Sequence, residues 1–157
     1  MKKAIFLCFS FLAFCTFTTI AQEIPEGYSQ SYVVIAEHST DYDMLYEQME
    51  ALSKVTGAEI DLMGRVYNPK EKIIALPEDY EDDLYAGGYY PRRYMGKSLS
   101  IEHLSYYTGE SPKGQETLIL VVGILGEKEA DELLQKILPH AKNAYVLKAL
   151  IYIGCMH

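Results

Sequence analysis

The chain has 157 residues, with 22 acidic against 14 basic side chains, a formal net charge of −8, and 14 tyrosines but no tryptophan. A surface that negative repels nucleic acid and anionic lipid, so neither is an expected partner. With three cysteines in a chain of this length, the core has to come from packing and not from a disulfide framework.

Residues 1–21 read as a signal peptide. Lys2 and Lys3 form the positive n-region, Ala4 to Phe17 is an apolar run, and Thr19-Ile20-Ala21 ends in the small residues that suit cleavage after Ala21. The run is too short for a membrane span. Bulky Phe14 before Cys15 argues against a lipid-anchoring cysteine, so the expected location is periplasmic or secreted. Cleavage removes two lysines, which makes the remainder more acidic, and takes Cys8 and Cys15 with it. Cys155 is then a lone thiol, read as a small buried apolar residue.

Residues 22–30, with Pro25 and Gly27, read as a leader ahead of a single domain over 31–157. Tyr32 to Glu37 is β-rich and suits a strand. Ser39, Thr40 or Asp41 can cap a helix carrying Met44, Leu45, Met49, Leu52 and Val55 at helical spacing, with Gly57 as its stop. Extended character resumes from Glu59 to Tyr67. Asn68-Pro69-Lys70 is a turn signal, after which Lys72 to Leu76 returns as a hairpin strand.

Pro77 to Gly96 is a loop of about 20 residues, a length that is usually functional or mobile. It opens with Glu78, Asp79, Glu81, Asp82 and Asp83 and closes with Tyr89, Tyr90, Arg92, Arg93 and Tyr94. Ser98 to Tyr107 suits a short helix with an apolar side at Leu99, Ile101 and Leu104, and Gly109, Pro112 and Gly114 mark a further loop. Thr117 to Leu125 is an aliphatic run that reads as a strand buried on both faces. Glu127 to Leu138 follows as an amphipathic helix ended by Pro139, and Ala144 to Ile153 as a last strand interrupted only by Lys148.

The order is therefore β-α-β, an insert at about 64–115, and β-α-β. This makes an α+β domain of ferredoxin-like type, with a mainly antiparallel sheet and two helices on one face.

A strand ending in Val122-Gly123, a short acidic turn, a helix with Ala130 and Leu134 inward and a closing strand resemble the half-repeat of the SPOR domain, a βαββαβ module of bacterial cell envelopes. The resemblance covers the two βαβ units and leaves the long insert without a counterpart. It implies peptidoglycan binding, commonly to glycan strands lacking stem peptides, on the sheet face without helices. An open face should alternate apolar and polar residues. Leu118 to Leu125 and Ala149 to Ile153 are instead apolar on both faces, so the insert, a protein partner or a second copy of the chain has to cover the second one.

Recognition chemistry is therefore expected in the insert, where seven tyrosines fall between Tyr80 and Tyr107. Tyr89, Tyr90 and Tyr94 offer flat faces with polar tips, suited to sugar stacking and protein contacts. Arg92 and Arg93 can grip a carboxylate or pair with the acids of the loop. His38, His103, His140 and His157 are scattered, and no HExxH or CxxC spacing occurs, so no metal or cofactor is expected. Cys155-Met156-His157 offers soft-metal ligands only by coincidence at a chain end. A hydrolase using Cys155, or Glu102 with His103 on the short helix, lacks an oriented partner. The expected function is a non-catalytic envelope module binding a glycan, with a protein-interaction subunit or homodimer as the alternative.

Overall fold

A computed structural model of the protein describes residues 23–109 and 117–154. The stretch read as a signal peptide, the stretch around Pro112 read as a loop and Cys155-Met156-His157 lie outside the described residues.

The elements are strand β1 (Tyr28–Ser39), helix α1 (Tyr42–Thr56), strands β2 (Val66–Asn68), β3 (Ile73–Ala75) and β4 (Ser100–His103), helix α2 (Ser105–Thr108), strand β5 (Leu118–Leu125), helix α3 (Glu127–Ile137) and strand β6 (Tyr145–Tyr152). The main sheet has the order β4-β5-β1-β6, antiparallel throughout, and β2 and β3 form a separate hairpin. With α1 between β1 and β4 and α3 between β5 and β6, this is the ferredoxin-like arrangement.

Both longer helices lie on one face. Asp41 caps α1 by accepting the Met44 N–H at 3.1 Å. Gly57, at φ 69°, ends it in a left-handed turn whose N–H reaches the Ser53 carbonyl. Leu45, Met49 and Leu52 from α1 and Ala130, Leu133 and Ile137 from α3 pack on Val34, Ala36, Leu118, Leu120 and Val122. Met44 and Val55, although at helical spacing, are exposed.

The second face is also buried. Val33, Ile35, Ile119, Val121, Ile124, Ala149 and Ile151 form a second cluster, with Tyr107 inside it and Leu104 against it. Each fully buried aliphatic side chain contributes roughly 1.5–3 kcal/mol, so both faces add to stability. The surface that prompted the expectation of a homodimer is already out of water in one chain.

Three readings of the sequence need correction. Tyr28 to Gln30 belongs to β1, where it pairs with Leu150 to Tyr152, and is not a loose leader. Extended chain after α1 survives in the main sheet's vicinity only as a parallel bridge between Ile60 and Leu99, because the strand pairing with β5 is β4. Residues 100–103 are therefore strand and not helix, and only Ser105–Thr108 is helical. The stretch read as insert thus supplies one of the four sheet strands. The hairpin about Asn68-Pro69-Lys70 forms as expected, pairing Val66 with Ala75 and Asn68 with Ile73. At the sheet edge, β6 is less buried than its composition suggests, with Lys148 and Leu150 exposed.

Candidate functional site

The long excursion between α1 and β4 is pinned to the sheet by buried charges. Met63 and Gly64 both take positive φ, at 54° and 72°, and this turn delivers Arg65 inward. Its two terminal nitrogens donate to the two oxygens of Glu102 on β4, each at 2.6 Å, and both side chains are fully buried. Arg65 also donates to the carbonyls of Leu62 at 3.0 Å and Tyr90 at 2.9 Å. Burial opposes the Arg65 charge, but the Glu102 hydrogen bonds and charge outweigh it and hold its pKa above the ordinary value.

Tyr89 completes the cluster. Its hydroxyl donates to Glu102 at 2.6 Å and accepts the His103 N–H at 3.1 Å, while its ring meets the His103 ring edge-on. Burial, with the Glu102 charge second, raises the Tyr89 pKa well above its usual value. His103 in turn accepts the Ile74 N–H on Nε2 at 3.3 Å, which ties β3 to β4. Glu102 and His103 are thus occupied inside the protein and not arranged for proton transfer on an exposed helix.

Arg92 is also internal. It is fully buried, donates to the Gly96 carbonyl at 2.6 Å and the Ser98 carbonyl at 2.8 Å, and lies over the Tyr94 ring. Its Nε is buried without a hydrogen-bond partner among the described residues. Burial lowers its pKa. The expectation that Arg92 grips a ligand directly, or pairs with the acids at 78–83, is therefore corrected: its donors serve the turn that it closes.

Arg93 is placed differently. It is half-buried between the rings of Tyr90 and Tyr152, 5.1 Å and 5.2 Å from their centroids, and it makes no ion pair among the described residues. It borders an open cleft of about 270 Å³ together with Tyr28, Tyr106, Tyr107, Leu150 and Tyr152, and Arg92 lies at its wall. Tyr28 and Tyr106 are 44% and 54% exposed, so ring surface is available to a ligand.

Of the five residues singled out from the sequence, only Arg93 and Arg92 border this cleft. Tyr89 is part of the buried cluster. Tyr90 stacks on Arg93 and lines a neighbouring hollow with Met63, Leu76 and Tyr85. Tyr94 is exposed, covers Arg92 and donates its hydroxyl to Asp61.

Tyr28 and Tyr152 escaped sequence reasoning because they lie at opposite ends of the folded chain. They face each other only through the β1–β6 register, with ring centroids 5.2 Å apart. Gly27 holds Tyr152 in place. Its φ is 79°, its carbonyl accepts the Ile153 N–H at 2.7 Å, and a Cβ there would come within 2.7 Å of the Tyr152 ring.

Among the described residues, no cluster of three metal-ligating side chains occurs, and no helix is long and apolar enough to cross a membrane. No protein-family model, curated protein or solved structure matches this chain.

Proposed function

We propose that the protein is a non-catalytic binding module of the bacterial cell envelope that holds a glycan in the cleft beside Arg93. One observation carries this reading. The cleft presents exposed tyrosine faces and a stacked guanidinium, and among the described residues its lining contains no carboxylate, histidine, serine or cysteine to do acid-base or nucleophilic work.

Tyrosine rings suit the apolar faces of sugar rings, and their hydroxyls suit the sugar's polar rim. The signal-peptide reading of residues 1–21 places such a ligand in the envelope or outside it, and the acidic surface disfavours nucleic acid. The SPOR resemblance points to the same ligand class, peptidoglycan. The proposed site, however, is built from the strand ends, the segment at 91–93 and α2, and not from an open sheet face.

Purified protein is expected to co-sediment with peptidoglycan sacculi at low salt. Tyr106→Ala, which removes an exposed ring, should weaken binding about tenfold, on the scale of one good aromatic contact. Absence of pelleting at low salt would overturn the reading.

A further inference from the structure

The buried charges behind the cleft are unevenly paired. Three charged side chains are buried there: Arg65, Arg92 and Glu102. Both Glu102 oxygens are taken by Arg65, and Oε2 also accepts from Tyr89 and from the Arg92 backbone N–H at 3.4 Å. The Arg92 guanidinium is left with two backbone carbonyls and one ring face, and its Nε has no hydrogen-bond partner among the described residues. Asp61 is engaged by the Tyr94 hydroxyl and the Met63 N–H. Among the described residues Arg92 therefore has no ion pair, and only the more distant charges of Glu102 and Asp61 offset its desolvation cost.

Arg93 adds a second positive charge next in sequence, also without a carboxylate partner among the described residues. The rings of Tyr90 and Tyr152 lie 5.1 Å and 5.2 Å from its guanidinium carbon, and its N–H donors can meet a carboxylate in bidentate fashion.

We infer that the cleft selects an acidic glycan, with a sugar carboxylate against Arg93 and the ring on the exposed tyrosines. The inference rests on the glycan-binding reading and adds the charge of the ligand. Arg93 makes the direct contact. Arg92, having no surface of its own, makes no direct contact.

Two further features narrow the class. The volume of about 270 Å³ lies near the lower end of small-ligand sites, which suits one ring system and not an enclosed oligomer. The net charge of −8 repels ligands with dense negative charge, so the cleft favours an isolated carboxylate on a mostly neutral sugar over a polyanion.

The test compares two disaccharides of the same shape, glucuronyl-N-acetylglucosamine and its neutral glucosyl counterpart, by calorimetry or NMR titration with the purified protein. The acidic sugar should bind about tenfold more tightly, the effect of one charge-assisted pair, and its advantage should shrink as salt rises. Arg93→Ala should abolish the preference, so that the acidic sugar binds no more tightly than the neutral one. Arg93→Lys should restore it in part, since it returns the charge but not the planar fork. Equal affinities, or a preference that survives Arg93→Ala in a folded protein, would overturn acidic selectivity and leave the glycan reading standing. Binding of neither sugar would overturn both.

Discussion

Tyr107 shows how one side chain can carry a pH dependence that its hydrogen bonds do not announce. It is buried on the second face of the sheet, and among the described residues its hydroxyl makes only a long bond, 3.4 Å, to the Arg92 carbonyl. Burial, then the Glu102 charge, raises its pKa well above the ordinary value, and Tyr89 is shifted in the same direction. A folded-state pKa above the unfolded one contributes stability that is fully present below about pH 10 and is lost as pH rises toward the folded value. The urea midpoint should therefore be flat from pH 7 to 9 and fall steeply above it. Tyr107→Phe should cost about 1 kcal/mol or less at pH 7, the net worth of one weak hydrogen bond, and flatten the alkaline fall. An unchanged alkaline limb in the variant would refute this role. The buried position of Tyr107 was not legible in the sequence, where it is one of seven tyrosines in a polar stretch. Only the packing of α2 against β6 separates it from exposed Tyr106.

At the scale of elements, α1 separates periodicity from burial. Leu45, Met49 and Leu52 are buried against the sheet, while Met44 is 40% and Val55 57% exposed. Leu45→Ala should destabilise the protein by about 2–5 kcal/mol, the cost of a cavity in a packed core, and Val55→Ala by no more than about 0.5 kcal/mol. Chemical unfolding of the two variants checks the contrast. Local sequence gave away this helix because its cap, its stripe and its glycine stop agree with one another. The same reasoning failed at β4. Leu99 and Ile101 are two apart, as in a strand, and Ile101 and Leu104 three apart, as in a helix, and four strand residues are too few to settle the period. Pairing of Ser100 with Val121 and His103 with Leu118 decides it, and those partners are distant in the chain.

For the molecule as a whole, the Arg65–Glu102 pair joins the excursion after α1 to the sheet, so its loss should be felt well beyond two residues. Glu102→Gln leaves the Arg65 charge buried without its carboxylate and should destabilise by about 3–5 kcal/mol. Arg65→Met combined with Glu102→Leu should cost less than the two single changes added together. A double-mutant cycle from urea unfolding measures the difference, and strict additivity would show that the pair is not coupled. The β5-α3-β6 unit, the amphipathic helices α1 and α3, the doubly apolar β5 and the α+β class were readable from sequence alone, because short-range periodicity and turn chemistry determine them. Which strand completes the sheet, which arginine faces solvent, and which tyrosines meet across the cleft were decided only by tertiary structure. Arg92 and Arg93 are identical to any local reading. One closes a turn inside the protein and the other lies between Tyr90 and Tyr152 at its surface, because register and packing, which join residues remote in the chain, set burial and partners.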